Sequence, residues 1–233
     1  MQDTSNITNY DSIVLREHWF ETKVVIDGVG TFTEDQLFEV TTSHKLFKDT
    51  PEIGRAIAGE VEIKMLYPNV EIPIMAVVRL FVRACNSTTK SGWLPQGVFN
   101  VDTRERTKND SGMFFLTIHG YDAMLKSEQM YNGRITGNST DIQMATEIAY
   151  QLGVSLDSRT NATMTSAYTI PFPTGYTYRE ILGYIASMYA GAFIISDEGK
   201  LRLITLYELP PETNCLIDEN GNWITFGGDR ILV

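Results

Sequence analysis

The sequence predicts an α+β fold in which β structure dominates, and three observations lead to this prediction. Within residues 19–119, short apolar or alternating segments recur between turn residues, a pattern typical of a sandwich or barrel. Residues 140–152 carry the signals of a capped amphipathic helix. Residues 177–206 run from a second helix into a β-hairpin. We therefore expect a strand-rich first part and a second part of helices and a hairpin.

Two segments of the first part give the strongest strand signals. Residues 60–67 alternate between apolar and largely charged residues, which predicts a half-buried strand. Residues 74–85 are rich in β-branched residues, which predicts a central strand with Arg79 and Arg83 turned outward. The other predicted strands are residues 19–26, 35–41, 98–103 and 113–119.

Three stretches of the first part are not predicted to be strands. Residues 1–15 are largely polar, and we expect a weakly ordered arm. Residues 104–112 are polar and are expected to form a turn. Gly120, Tyr121 and Asp122 are expected to open a short helix over residues 123–129.

Residues 177–206 can be interpreted residue by residue. Thr177 and Glu180 form a T-x-x-E capping box, which satisfies free backbone N–H groups at a helix start. Gly191 stands where a helix commonly ends on a left-handed glycine. Gly199 falls in a turn between two apolar strands. We expect the helix to lie on the hairpin, because both must bury an apolar face.

A linker separates the two predicted domains. Residues 130–138, with the sequence MYNGRITGN, have linker composition. Just after it, Thr140 and Gln143 form a second capping box. We therefore expect a β-barrel-like domain over residues 1–130 and a helix-plus-hairpin domain over residues 138–233.

Composition excludes several classes of protein. The 233 residues carry a net charge of −10, so binding to nucleic acid through its phosphates is not expected as the main activity. No apolar stretch is long enough for a membrane-spanning helix, and the polar N-terminus is not a secretory signal. Cys85 and Cys215 are far apart in the sequence. Two buried thiols are the preferred interpretation, with a disulfide as the alternative.

The sequence contains no recognisable catalytic or metal-binding constellation. Its three histidines, His18, His44 and His119, lack the spacing of zinc ligands. There is no G-x-S-x-G elbow and no Walker loop. Glu60 and Glu62 lie on the polar face of a predicted strand, which is more often a solvated edge than a catalytic pair. The prediction is therefore no catalytic residue, no metal site and no cofactor.

Two other classes of function stay open. Trp93, Tyr121 and Trp223 could line the sugar-binding face of a carbohydrate- or receptor-binding β module, although scattered aromatic residues are more often core. Two facing carboxylates in a cleft would instead favour a glycan hydrolase.

Near the end of the sequence, the Asn220-Gly221 pair predicts a hairpin turn rather than a calcium loop.

Four stretches, taken in order, resemble one known family. They are EIGRAIAGEVEIKMLYP (52–68), GVFNVDTRERTKNDSGMFFLTIHGYDAMLKSE (97–128), the capped helix (140–152), and the helix–hairpin unit (177–206), which contains YREILGYIA and the G-K-L hairpin. This succession resembles the tail hub, or baseplate hub, proteins of tailed phages and prophages. That family is related to the hub of contractile tails and to the spike-bearing protein of type VI secretion.

The resemblance implies two β-barrel or split-barrel-like domains joined by short helices. It further implies a structural protein without enzymatic activity that forms a ring with copies of itself, usually a trimer. Such a ring joins the tail tube to the spike or fibre in the virion tail and is assembled in the cytoplasm of the bacterial host. Sequence-specific contacts with nucleic acid and contacts with a membrane are not implied.

Full hub proteins continue further than this sequence, which stops in RILV, so we expect a fragment or a shortened version.

The resemblance also points to positions with a structural role in the motifs. The motif positions are Gly97, Gly120, Tyr121, Asp122, Tyr178, Glu180, Gly191 and Gly199.

Overall fold

A computed structural model describes residues 4, 7–15, 17–44, 53–164 and 168–205, and the backbone of residues 225–226 and 229–230. A short helix, α1 (Tyr10–Val14), comes before the strands. The strands of the first part are β1 (Trp19–Ile26), β2 (Gly30–Thr33), β3 (Leu37–Ser43), β4 (Arg55–Ala56), β5 (Glu60–Leu66), β6 (Val77–Cys85), β7 (Leu94–Lys108) and β8 (Phe114–Asp122).

All of these strands except β4 form one antiparallel sheet, in the order β2-β1-β6-β7-β8-β5-β3. Its two edge strands, β2 and β3, are separated by residues 34–36 alone. Because so short a connection spans at most about 14 Å, the two edges lie near each other. The sheet is therefore curled into a half-barrel, and the α+β, mainly β fold class is confirmed.

Alternating side chains fill the inside of the curled sheet. β5 shows this most clearly, since Val61, Ile63 and Met65 are buried and the residues between them are exposed. This confirms the strand predicted over residues 60–67. Residues from β1, β2, β6, β7 and β8 complete the first core, which contains Val24, Ile26, Phe32, Ile72, Val78, Leu80, Phe99, Val101, Leu116 and Ile118.

The second part consists of helices packed on a small sheet. A 3-10 helix (Ala123–Glu128) is followed by β9 (Ser139–Thr140), α2 (Asp141–Leu152), α3 (Ser158–Thr163), β10 (Thr169–Ile170), α4 (Tyr178–Met188), β11 (Gly191–Ile195) and β12 (Leu201–Thr205). Apolar faces of α2 and α4 pack on the β11–β12 hairpin and form the second core. The expectation that the helix lies on the hairpin is confirmed.

The strand β4 belongs to the small sheet, although it lies in the first part of the sequence. It pairs in parallel with β11, and the order of this sheet is β12-β11-β4. The backbone N–H of Gly54 donates to the carbonyl of Gly191 at 2.8 Å. The chain therefore leaves the curled sheet after β3, contributes to the second core through Ala56, and returns to the curled sheet as β5.

Several predicted strand boundaries were wrong. The central strand starts at Val77 rather than at residue 74, because Met75 has a φ of 64° and breaks the extended chain. β7 continues to Lys108, whereas residues 104–112 were predicted to form a turn. Cross-strand pairing with β8 keeps this charged segment extended, which local composition does not reveal. Arg79 and Arg83 do face outward, where they pair with Asp27 and Glu21.

Two predictions about chain ends and helix ends also need correction. Within the arm predicted over residues 1–15, residues 10–14 form α1, and Ile13 is buried. At the end of α4, the residue with positive φ is Ala190, at 48°, and not Gly191. Gly191 is instead the first residue of β11, where close packing against Ile204, and not a left-handed turn, requires glycine.

The predicted helix signals were otherwise accurate. Both capping boxes are formed, Thr140 with Gln143 and Thr177 with Glu180. The predicted helix at 123–129 is a 3-10 helix that begins after Asp122. The predictions for Asn220-Gly221, Trp223 and Cys215 concern positions outside the described residues. The last two described strands are β13 (Thr225–Phe226) and β14 (Asp229–Arg230).

Candidate functional site

The two cores meet along a seam, which we define as the end of β8, the 3-10 helix and the start of α4. Asp122 lies at its centre and is only 2% exposed. Its carboxylate accepts hydrogen bonds from the backbone N–H groups of Gly59, at 2.7 Å, and Met124, at 2.8 Å. One side chain therefore ties the segment before β5 to the first turn of the 3-10 helix.

The burial of Asp122 disfavours the ionised form of its carboxyl group. Burial raises the pKa of Asp122 from 3.8 to about 7, while the N–H groups of Gly59 and Met124 and the charge of Arg179 oppose the rise. The carboxyl therefore changes charge near neutral pH, and the stability of the seam depends on pH in that range.

Arg179 connects α4 to the 3-10 helix. Its Nε donates to the hydroxyl of Ser127 at 3.1 Å, and its Nη2 donates to the carbonyl of Met124 at 3.4 Å. It also forms an ion pair with Glu128 at 2.5 Å. The guanidinium thus uses its planar set of donors to hold three groups of one short helix in place.

The two residues beside Arg179 were predicted motif positions, and both have structural roles. Tyr178 is 2% exposed, and its hydroxyl donates to the side chain of Asn132 in the linker. Glu180 accepts a hydrogen bond from the Thr177 N–H at 2.7 Å, and this bond lowers the pKa of Glu180. Together they fix the orientation of α4 at its first turn.

Close packing explains the predicted glycines. A Cβ on Gly120 would lie 2.7 Å from the carbonyl oxygen of Asn100 on β7. A Cβ on Gly191 would lie 2.4 Å from the carbonyl oxygen of Ile204 on β12. Gly199 has a φ of 77°, as the predicted turn requires, and a Cβ there would lie 2.8 Å from Val98.

The remaining two motif positions belong to the curled sheet. Gly97 has a φ of 144°, and a Cβ there would lie 2.3 Å from the ring of Phe99. It stands beside the bulge between β6 and β7. Tyr121 is partly exposed and lies opposite Glu60 on β5 and Asn100 on β7.

The structure brings most of the motif positions to the seam. Gly120, Tyr121 and Asp122 end β8, and Tyr178 and Glu180 flank the arginine that contacts the 3-10 helix. The hairpin turn with Gly199 reaches the curled sheet at Val98, close in sequence to Gly97. Gly191 lies apart, where β4 joins the small sheet. The geometry is that of a packed joint between two layers.

Two buried carboxylates near the seam were missed by the sequence analysis. Glu147 on α2 is 5% exposed and accepts hydrogen bonds from the backbone and side chain of Arg134 and from Gln151. Burial alone would raise the pKa of Glu147, but these bonds outweigh it and lower the pKa to about 2. Asp141 is fully buried and accepts a hydrogen bond from the hydroxyl of Tyr189. No sequence spacing signals the contacts with Arg134 and Tyr189, because both of these partners lie outside the helix α2 that carries the two carboxylates.

The carboxylates considered for catalysis lie on the outer surface. Glu62 and His119 are both half-exposed, and Glu62 Oε2 lies 3.7 Å from His119 Nδ1 across the β5–β8 pair. Among the described residues, no group of three or more histidine, cysteine, aspartate or glutamate side chains is placed to hold a metal ion. Glu60 and Glu62 thus belong to a solvated strand face, as a polar alternating strand predicts.

Trp93 and Tyr121, the two described residues among the aromatic residues considered for sugar binding, lie in different parts of the curled sheet. Trp93 lies beside cations of the outer face, with Lys23 Nζ 4.3 Å and Arg83 Cζ 4.3 Å from its ring centroid. Tyr121 lies on β8, opposite Glu60 of β5, whereas Trp93 lies just before β7. Cation–π contacts of this kind engage the ring within the protein itself.

A groove of about 660 Å³ lies between residues 54–58 and α4. Arg179 and Glu180, which line it, already bond to the 3-10 helix and to Thr177. Gly183 of α4 approaches this segment so closely that a Cβ would lie 2.7 Å from the carbonyl oxygen of Gly54. The groove therefore borders the packed contact between β4 and α4.

No helix in the described part of the chain is both long and apolar enough to cross a membrane. Searches of the sequence against protein-family models and against curated proteins gave no match.

Two solved tail proteins share the fold. The 43 kDa tail protein of prophage MuSo2 from Shewanella oneidensis aligns with a TM-score of 0.55 and 14% identity, over 82% of this chain and 57% of that chain. The tail protein from Neisseria meningitidis MC58 aligns with a TM-score of 0.52 and 12% identity, over 79% of this chain and 51% of that chain. The chain thus spans little more than half the length of either structure. At these identities the likeness concerns the fold, and the fold is that of phage tail proteins, as the sequence resemblance implied.

Proposed function

We propose that this protein is a structural, non-enzymatic subunit of a phage or prophage tail tip, in the hub or baseplate ring that joins the tail tube to the spike or fibre. The observation that carries the proposal is the fold shared with two tail proteins, which extends over 82% and 79% of this chain. The packed seam supports it, because the motif positions serve to join two layers rigidly and do not converge on a pocket.

The proposed partners follow from that role. They are further copies of this chain, in a ring that we propose to be a trimer, together with tail tube and spike or fibre proteins. The proposed location is the virion tail, after assembly in the host cytoplasm. We also propose two domains, residues 1–130 and 138–233. The first core lies within residues 1–130, and the second core consists mostly of residues from 138–233 together with Ala56, Ala123 and Met124.

Net charge bears on the lumen of the proposed ring. A tail conduit must let DNA pass without holding it, which favours a neutral or acidic lining. The chain carries 29 acidic and 19 basic side chains. We propose that part of this acidic surplus faces the channel; a ring reconstruction with a basic lumen would contradict this point.

Negative-stain imaging of the purified full chain tests the proposed function. Rings with threefold or pseudo-sixfold symmetry are expected. Two parallel assays address the alternatives, because specific binding on a glycan array would favour the carbohydrate-binding module and clearing in zymograms would favour the hydrolase. The proposal predicts neither binding nor clearing, and either result in the absence of rings would overturn it.

A further inference from the structure

The small sheet has one covered edge and one open edge. At β12, the covered edge, the N–H of Leu201 donates to the Ser155 carbonyl at 2.9 Å, and the N–H of Asp157 donates to the Leu201 carbonyl at 2.8 Å. The N–H of Leu203 donates to the hydroxyl of Thr160 at 2.9 Å. At the other edge, the described residues place no strand on the side of β4 that faces away from β11. Because an open edge strand leaves backbone groups unpaired, β4 offers a place for a further strand.

Unpaired backbone groups follow directly after β4. Before the strand, the N–H of Gly54 donates to the Gly191 carbonyl. After it, Gly59 is bonded through its N–H and its carbonyl to Asp122. Between these two anchors lies Ile57, and no described residue hydrogen-bonds to its backbone N–H or carbonyl. Both groups of Ile57 therefore need a partner from outside this part of the chain, either water or another backbone.

The groove described above runs beside the same segment. Residues 54–58 line one side of it, α4 lines the other, and its volume is about 660 Å³. Sites that bind ligands commonly have volumes of about 300–1,000 Å³. Five extended residues span about 16 Å, so a partner segment of about four or five residues matches the length of this wall. We name this space the β4 groove.

Exposed apolar side chains stand at the β4 groove. Tyr184 of α4 lines it and is 59% exposed. The ring of Tyr184 meets the ring of Tyr176 edge to face, with 5.5 Å between their centroids, and Tyr176 is 42% exposed. Ile53, next to the lining segment, is 49% exposed. An open strand edge beside a helix with exposed apolar groups is an arrangement that binds extended peptides.

The charges of the β4 groove balance. Its lining contains Arg55 and Arg179 together with Glu60 and Glu180. Two positive and two negative side chains favour neither a strongly acidic nor a strongly basic partner. Selection of a partner therefore depends on backbone pairing and apolar contacts.

We propose that an extended segment of a partner protein lies in the β4 groove, where its backbone bonds to Ile57 and one of its apolar side chains contacts Tyr184. Alternate side chains of an extended segment face the same way, so the segment carries apolar residues at every second position. The inference deepens the proposed function, because it assigns a surface to a partner other than a further copy of this chain. The assignment of that partner to a phage tail rests on the proposed function.

Synthetic peptides test the β4 groove of the full chain. The probe is a set of seven-residue peptides in which valine, isoleucine, leucine or phenylalanine alternates with threonine or lysine. We expect members of this set to bind in fluorescence polarisation. N-methylation of every second amide blocks one edge of a peptide, so methylation in one of the two possible registers should weaken binding at least about tenfold, and methylation in the other should not.

A matched pair of tyrosine variants locates the binding. Tyr184→Ala removes the exposed ring of the β4 groove and should weaken binding of the best peptide at least about fivefold. Tyr150→Ala removes a ring that is 61% exposed on α2 and does not line the groove, so it should bind like the wild type. Both side chains are exposed, and equal urea unfolding of the two variants checks that each is folded.

Hydrogen exchange measured by NMR adds a readout of backbone pairing. The amide of Ile57 should gain protection when a peptide binds, and the amide of Leu203, which is already bonded to Thr160, should not change. If no peptide of the set binds, or if Tyr184→Ala binds normally and the Ile57 amide stays unprotected, the inference is overturned, and rings in negative stain would leave the proposed function intact.

Two further outcomes separate the inference from the proposed function. If the Ile57 amide becomes protected as the concentration of the chain alone rises, a second copy occupies the β4 groove, and the inferred partner is wrong. If peptides bind as expected but the chain forms no rings, the β4 groove stands as a peptide-binding site and the proposed ring is overturned.

Discussion

At the scale of single residues, Asp122 joins two segments of the seam by hydrogen bonds, although its burial disfavours the ionised carboxylate. Its carboxyl is buried, and its pKa rises from 3.8 to about 7 in the folded chain. A raised folded-state pKa gives stability that is fully present below pH 3.8 and is lost as pH rises through about 7. The N–H donors of Gly59 and Met124 and the charge of Arg179 favour the ionised form and limit the rise.

The Asp122→Asn variant tests this dependence on pH. Asparagine stays neutral, so the wild type should lose roughly 2–3 kcal/mol of its free energy of unfolding relative to the variant between pH 5 and pH 8. Urea unfolding at both pH values measures the change. Asp110→Asn, in the exposed β7–β8 turn, serves as the control. If the free energy of unfolding of the wild type relative to Asp122→Asn stayed constant or increased from pH 5 to pH 8, the assigned role of the carboxyl would be contradicted.

Glu147 shows the opposite dependence on pH. Its pKa falls to about 2, so its stabilising contribution is present above 4.5 and disappears as pH falls through 2. Glu147→Gln should cost about 1–2 kcal/mol at neutral pH, because the bonds from Arg134 lose their charged acceptor and the exposed guanidinium limits the gain. Chemical unfolding at pH 7 and pH 3 should show a smaller cost at the lower pH. Glu34→Gln, on the surface, should show no measurable cost at either pH.

At the scale of elements, the absence of a Cβ decides whether the hairpin can close. In Gly191→Ala, the new methyl group would lie 2.4 Å from the Ile204 carbonyl oxygen, which is backbone and cannot rotate away. We expect a loss of about 1–3 kcal/mol in the free energy of unfolding. Gly137→Ala, where nothing lies within 4 Å of the added Cβ, is the matched control and should be neutral. Equal thermal unfolding temperatures for the two variants would show that the approach to Ile204 does not constrain the hairpin.

Elements whose signals are local could be predicted from the sequence. The capping boxes at Thr140 and Thr177, the alternation in β5 and the turn at Gly199 each depend on residues within a few positions of one another. Elements that depend on distant partners could not. The second half of β7 is extended only because β8 lies beside it, and β4 joins a sheet whose other strands come more than a hundred residues later.

The same distinction applies to the candidate site. The motif positions of the seam were predicted, because Asp122, Tyr178 and Glu180 are part of the family resemblance. Their contacts were not, since Asp122 bonds to Gly59, 63 positions away, and Glu147 bonds to Arg134, 13 positions away. The left-handed residue after α4 was also misplaced by one position, because a non-glycine residue, Ala190, takes it while Gly191 is needed for packing.

At the scale of the whole molecule, the chain combines a curled sheet with a helical layer, and hydrogen bonds of the seam join the two. A rigid seam keeps the two layers in one orientation, which a repeating assembly requires of each copy. Among the described residues, no group of three or more histidine, cysteine, aspartate or glutamate side chains is placed to hold a metal ion, and the fold is shared with two tail proteins. The proposal that the protein acts by association rests on that shared fold.

The mass of the full chain in solution, measured by light scattering over a wide range of concentrations, tests this account most directly. The account predicts that the mass rises with concentration from that of one chain, 26.2 kDa, to a plateau at a trimer. A mass that stays at one chain throughout the range would contradict the central claim that the protein works by assembling with copies of itself.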